Sequence, residues 1–152
     1  MTLVAIMGRD LPSHMAEVDA APRAILAIGR TVCPACQMLD ASLGVIGGAR
    51  PDLAVFIVGM DTEADWAIRE TVLWPRDIRV SPAAVPAMVL LEHGHVVASR
   101  QGSAPAHELD AWVTERFGPP TTEVPIGIAD AEQVVLDRTA ARRAQHAIVK
   151  GR

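Results

Sequence analysis

Two short apolar runs, Ala24-Ile25-Leu26-Ala27-Ile28 and Leu53-Ala54-Val55-Phe56-Ile57-Val58, stand on either side of a helical pattern. This arrangement restricts the fold more than anything else in the chain. Each run lacks polar residues, as does a strand covered on both faces. Between them Cys36, Leu39, Leu43 and Ile46 recur at steps of three and four, which makes one apolar helical face. Pro34 suits the first turn of that helix, where no intrahelical donor is required. Gly47, Gly48 and Pro51 close it. Strand, helix and strand give a βαβ unit, whose right-handed crossover puts the helix start, with Cys33, at the carboxyl edge of a parallel sheet.

The flanking segments extend this unit. Residues 13–20 read as a short helix, broken at Pro22. Residues 62–74 read as a helix with Thr62 as its cap, Ala64, Ile68 and Val72 stepping by four, and Pro75 as its stop. Ala87-Met88-Val89-Leu90-Leu91 reads as a strand, Glu92-His93-Gly94-His95 as a turn, and Val96-Val97-Ala98-Ser99 as the returning antiparallel strand. A helix from about Pro105 to Phe117 places Leu109, Trp112 and Val113 on one face. Trp66, Trp74 and Trp112 sit at helical spacings and read as core.

Gly118-Pro119-Pro120-Thr121-Thr122 then changes the composition abruptly. The expected organisation is a domain over 1–117, a Pro-rich linker over 118–128 and a helical tail over 129–152. In the tail, Asp130 and Gln133 resemble a capping box, and Leu136, Ala140, Ala144 and Ile148 form a narrow stripe. Arg138, Arg142, Arg143 and Lys150 follow Asp130 and Glu132, a charge order that suits the helix dipole. Such a tail is either a solvated helix or a docking element, for a partner or for its own chain.

A chain of 152 residues is long enough to bury a core without staples. Its net charge of −4 argues against nucleic acid and acidic membranes as partners. No apolar run approaches the length of a membrane span. The apolar opening Met1-Thr2-Leu3-Val4-Ala5-Ile6-Met7 lacks a basic start and is too short for a signal core, so no export signal is expected. Two cysteines three positions apart suit a cytoplasmic redox or metal motif better than a disulfide framework.

The pair Cys33-Pro34-Ala35-Cys36 carries the chemistry. A free thiol, with a pKa of about 8.5, is mostly protonated near neutrality, and exchange needs the thiolate. The unpaired N–H groups and positive dipole end of a helix favour that anion. Cys33 at the helix start is therefore the candidate nucleophile, and Cys36, one turn further in and more covered, the resolving thiol. Taken alone, a Cys-x-x-Cys is equally a buried apolar pair or half of a zinc site, but such a site would have to recruit residues such as His93 and His95, or a second chain, and nothing spaces those histidines as partners for this helix start. The other histidines, His14, His107 and His146, are scattered, and none of the five is assigned a catalytic role.

With these elements in order, the chain from about residue 12 to 117 resembles the thioredoxin superfamily. The shared features are a buried strand, a Cys-x-x-Cys at a helix start, a strand ending near Asp61, and Val85-Pro86 before a hairpin and a closing helix. The resemblance implies an α/β thioredoxin-like fold, a central mixed sheet flanked by helices, here with a C-terminal helical extension. It implies a cis Pro86 against the cysteine pair, and a Val85 that offers backbone groups to an extended substrate. Val32, Pro34 and Ala35 would complete the substrate contacts. It also implies protein disulfides as substrates and an electron donor such as a reductase, with no cofactor and no metal. Two positions depart from the family: its buried acid falls on Ala27, and the tryptophan before its first cysteine is Val32. The proline after Cys33 is glutaredoxin-like, but the Gly-Gly-Cys-Asp signature of that family is missing near Ser99 to Ser103. Ser81-Pro82-Ala83-Ala84 lengthens the approach to Pro86 and either reshapes the groove or, as the favoured reading, decorates a loop. The alternative function is a binding, assembly or redox-sensing protein that borrows the fold and docks through its tail.

Overall fold

The computed structural model describes residues 2–122 and 124. Five strands, β1 (Thr2–Met7), β2 (Arg23–Gly29), β3 (Ala54–Gly59), β4 (Ala87–Glu92) and β5 (His95–Gln101), form one sheet in the order β1-β3-β2-β4-β5. β3 is parallel to both β1 and β2, whereas β4 is antiparallel to β2 and to β5. Among the described residues four α-helices cover it: α1 (Leu11–Ala20), α2 (Pro34–Ala49), α3 (Glu63–Trp66) and α4 (Ala106–Phe117).

Strand alternation divides the core in two. Leu26 and Ile28 of β2, Phe56 and Val58 of β3, and Val89 and Leu91 of β4 meet Leu11, Met15 and Val18 of α1 on one face. Ile25 and Ala27, Val55 and Ile57, and Met88 and Leu90 meet Leu39, Leu43 and Ile46 of α2 and Leu109, Val113 and Phe117 of α4 on the other. Both faces are apolar, which is why these strands read as unbroken runs. The β4–β5 turn holds His93 and Gly94 at φ of 48° and 81°, the left-handed pair that matches the strand twist of a tight hairpin. A Cβ on Gly94 would also stand 2.7 Å from Asp19 Oδ1.

The far ends of α2 and α4 are tied by a buried ion pair. Arg50, 4% exposed, donates to Asp110 Oδ1 from Nε (3.1 Å) and Nη2 (2.8 Å), to Thr114 Oγ1 (2.8 Å) and to the Gly118 carbonyl (2.7 Å). Thr121 then bonds Ala49 O through its N–H and its hydroxyl, so the chain just after α4 lies back on α2. The expected tail over 129–152, and residues 123 and 125–128 of the expected linker, lie outside the described residues.

Three expectations require correction. The opening run is assigned no element from the sequence, yet Thr2–Met7 is the edge strand β1, in register with β3 from Thr2 opposite Ala54 to Met7 opposite Gly59. The helix expected over 62–74 is only α3, followed by a 3₁₀ turn at Ala67–Arg69 and another at Trp74–Arg76. Ile68, Val72 and Leu73 are all buried while Ala64 is exposed, so the chain turns away from the single face that steps of four would keep inward. Pro75 denies a donor to any continuing helix. Trp66 and Trp112 pack at the core's edge, but Trp74 is 37% exposed and is not core.

Candidate functional site

The parallel β2 and β3 end together, Gly29 opposite Gly59, and Met60 N–H donates to Gly29 O at 2.7 Å. α2 starts from this edge. β4 runs the other way, so its first residue, Ala87, pairs with Ile28 and carries Pro86 to the same edge. The Val85–Pro86 peptide is cis.

Cys33 is the N-cap of α2, in an extended conformation (φ −156°, ψ 109°), and its Sγ accepts from Cys36 N–H at 3.2 Å. The sulfur thus occupies the position where a capping oxygen ordinarily meets the free donors of a helix start. Cys33 and Cys36 are joined as a disulfide, with Cα atoms 5.2 Å apart. Their surroundings differ: Cys33 is partly exposed, whereas Cys36 is 2% exposed and accepts a long bond from Arg30 N–H at 3.5 Å. Gly29 makes room for it. A Cβ there would stand 2.9 Å from Cys36 Sγ and 4.0 Å from Pro86 Cβ, so the buried sulfur, the strand end and the cis proline converge on one point.

Of the other residues singled out from the sequence, Val32 is 90% exposed, Pro34 and Ala35 are exposed, Val85 is partly buried and extended, and Pro86 is buried. Met38, one turn beyond Pro34, adds another exposed apolar side chain. Ala27 is buried on the face covered by α2, with no carboxylate in its place. Among the described residues no three His, Cys, Asp or Glu side chains come together as metal ligands.

Residues that the sequence reading passes over hold the loop before Cys33. Asp61 accepts from Thr31 N–H at 2.7 Å and from the Thr31 hydroxyl at 2.6 Å, and Gln37 Nε2 donates to Thr31 O at 3.3 Å. Asp61 is held in turn by Asp65. The buried Asp65 carboxylate accepts from the N–H groups of Arg9 (2.9 Å), Asp61 (3.0 Å) and Thr62 (2.9 Å) and from the Thr62 hydroxyl (3.0 Å). Burial pushes the Asp65 pKa up, but these donors outweigh it and hold the carboxyl below its ordinary value. Thr62 and Asp65 form a capping box for α3. The spacing Thr-x-x-Asp is the signal from which this pair is readable.

Beside this loop lies a cleft of about 700 Å³ whose lining includes Arg9, Arg30, Val32, Glu63, Trp66 and Pro82. Pro82, from the segment Ser81–Ala84, forms part of its wall.

No protein-family model matches the sequence, and no curated protein matches it. Solved structures do. Thioredoxin O2 from Arabidopsis thaliana, in its oxidized state, superimposes with a TM-score of 0.58 at 17% identity, over 76% of this chain and 94% of that one. Thioredoxin f2 of Chlamydomonas reinhardtii gives 0.58 at 15% identity, over 77% and 98%. Reduced desulfothioredoxin from Desulfovibrio vulgaris Hildenborough gives 0.53 at 23% identity, over 66% and 88%. The chain therefore has an α/β thioredoxin-like fold, a central mixed sheet flanked by helices, with a Cys-x-x-Cys pair closed as a disulfide at the start of α2.

Proposed function

We propose that this chain is a thiol–disulfide oxidoreductase acting on protein disulfides. The observation that carries the reading is the asymmetry of the pair: a partly exposed sulfur at a helix N-cap, bonded to one that is buried. In the reduced chain the Cys33 thiolate attacks one sulfur of a substrate disulfide, and the other substrate sulfur leaves as a thiolate that takes a proton. Cys36, as thiolate, then attacks Cys33 Sγ and releases the second substrate thiol. Two electrons and two protons pass to the substrate, and the Cys33–Cys36 disulfide remains. A reductase-type donor returns the electrons, in the cytoplasm, where thiols are kept reduced. Val32, Pro34, Ala35, Val85 and Pro86 form the substrate's contact surface, the exposed apolar residues meeting side chains and Val85 meeting backbone as an added strand.

Reduction of a disulfide-linked peptide by the dithiol form tests this. Cys33→Ser is expected to abolish the reaction, whereas Cys36→Ser is expected to accumulate a mixed disulfide through Cys33, visible by mass spectrometry. Full activity in Cys33→Ser sinks the assignment. Ala27 favours a second reading, in which the pair senses redox state or supports assembly with little turnover: where the family places an acid to take the Cys36 proton, this chain has a methyl group. Single-turnover exchange without sustained cycling, in the presence of excess reductant, selects that reading.

A further inference from the structure

Arginine and tryptophan alternate along one side of the molecule. The Arg30 guanidinium lies 6.0 Å from the Trp66 ring centroid, Arg69 lies 5.4 Å from Trp66 and 5.9 Å from Trp74, and Arg79 lies 5.7 Å from Trp74. This ladder is not interior packing. Trp74 and Arg79 are exposed, and Arg30, Trp66 and Arg69 are half-buried. A guanidinium held over an indole by the ring's quadrupole makes no hydrogen bond to it, so its N–H donors stay free for an anion. Arg79 has Asp77 at 3.6 Å on the open surface. The guanidinium groups of Arg30 and Arg69 have neither an ion pair nor a hydrogen bond among the described residues. Both lie over the same ring, Arg30 at 6.0 Å and Arg69 at 5.4 Å from its centroid, and an incoming carboxylate supplies each with the ion pair it lacks.

The ladder starts at the redox site. Arg30 precedes Cys33 by three positions, and Arg30 and Trp66 line the cleft that also contains Val32. The carboxylates of Asp61 and Asp65 in that cleft accept from Thr31 and from the N–H groups of Arg9, Asp61 and Thr62 but keep their negative charge, and Glu63 adds a third acid to the lining. Attraction for an acidic segment is therefore strongest beyond the cleft, at Arg69.

We propose that this ladder docks an acidic segment of the polypeptide whose disulfide is exchanged at Cys33; the inference rests on the exchange reading above. Carboxylates of that segment receive the in-plane N–H donors of Arg30 and Arg69, while its apolar parts lie on Trp66 and Trp74.

Second-order rate constants for the reduced full-length protein test it, using disulfide-linked peptides identical except for glutamate, glutamine or lysine beside the cysteine. At low ionic strength the glutamate peptide is expected to react about tenfold faster than the glutamine peptide, with the lysine peptide slowest and the differences shrinking as salt is added. Arg30→Gln and Arg69→Gln, made separately, are each expected to bring the glutamate-to-glutamine ratio towards one. Arg116→Gln, the same charge change on the exposed face of α4, is expected to preserve it. Equal rates for the two peptides in the wild type, or a ratio that survives Arg69→Gln, overturns the proposal; a ladder that only stiffens residues 66–79 moves the melting temperature and leaves the ratio alone. If no peptide is reduced at all, it is the exchange reading that fails. Docking is then read by tryptophan fluorescence of the oxidised protein titrated with serine-for-cysteine peptides: quenching by the glutamate peptide that disappears in Arg69→Gln supports the strip, and its absence in the wild type refutes it.

Discussion

Replacing Gly29 with alanine puts a methyl group 2.9 Å from Cys36 Sγ, 3.2 Å from Cys36 Cβ and 4.0 Å from Pro86 Cβ. Gly29 ends β2 without a positive φ, so the backbone accepts alanine, and the loss of freedom in the unfolded chain would by itself stabilise by about 0.4–1 kcal/mol. Against this stands overpacking, which costs about 1–3 kcal/mol where the neighbour cannot move aside. In the oxidised chain it cannot, because the disulfide fixes Cys36 Sγ. The net effect there is a loss of about 1–2 kcal/mol. In the dithiol the sulfur can turn about χ1 and the contact is relieved, so the reduced chain is expected to match or slightly exceed the wild type in stability. The clash then falls on one redox state, and for a two-electron couple about 1.4 kcal/mol corresponds to about 30 mV. The reduction potential is expected to rise by about 20–60 mV. Denaturant unfolding of both forms, with a redox titration read by thiol alkylation and mass spectrometry, measures both quantities. Equal destabilisation of the two forms with an unchanged potential would place the strain on Cys36 Cβ and refute the argument; a more stable oxidised variant would show that no clash exists.

Two further expectations concern the frame around the pair. Arg50→Met removes the partner of Asp110 and leaves a nearly buried carboxylate without its counter-charge, so a loss of about 3 kcal/mol and a melting temperature lower by about 10 °C are expected by calorimetry. An unchanged melting temperature would show that water replaces the guanidinium without penalty. The Asp65 carboxyl is held below its ordinary value in the folded chain. Its contribution is therefore complete above the unfolded value of about 3.9 and is lost as pH falls through the lower folded value. Acid unfolding followed by circular dichroism is expected to show this decline in the wild type and a flatter profile in Asp65→Asn, which at neutral pH is expected to be less stable by about 2 kcal/mol. Parallel acid profiles for the two proteins would count against a depressed carboxyl.

The parts of this fold that are legible in the sequence are those in which one residue type suits every level at once. β2, α2 and β3 announce themselves because both faces of the strands are covered and because Pro34, Cys36 and Leu39 satisfy helix start, site and core together. Thr2–Met7 is harder to read: an edge strand parallel to its single neighbour needs no hairpin turn to mark it, and Leu3, Val4 and Ala5 are only partly buried. Residues 67–78 mislead because Ile68 and Val72 repeat with helical spacing, and Val72 N–H even bonds Ile68 O, while the chain around them winds as short 3₁₀ segments and turns rather than one continuous helix. Trp74 misleads for a related reason. Its helical spacing reads as core, yet it lies at the surface beside Arg69 and Arg79, a contact that no local spacing encodes. Thr31 and Asp61 are invisible for another reason, since their bond joins the ends of two strands that only the sheet brings side by side.

That bond also explains how a site with Val32 and Arg30 beside its cysteine stays in order. The loop before Cys33 is held through the Thr31 N–H, hydroxyl and carbonyl and through Gly29 O, by Asp61, Gln37 and Met60. None of these contacts uses the side chain of residue 30 or 32. Asp61 is itself fixed through its backbone N–H by Asp65, whose other ligands include the Arg9 N–H at the start of the chain's first turn. The framework therefore runs from backbone to carboxylate to backbone, and the two side chains that face the cleft contribute nothing to holding the cysteines. A substitution at either can change what docks without loosening the disulfide. An exposed valine where packing gives no reward, and an arginine held over Trp66 whose guanidinium makes no ion pair among the described residues, are what a surface freed from structural duty leaves available for recognition.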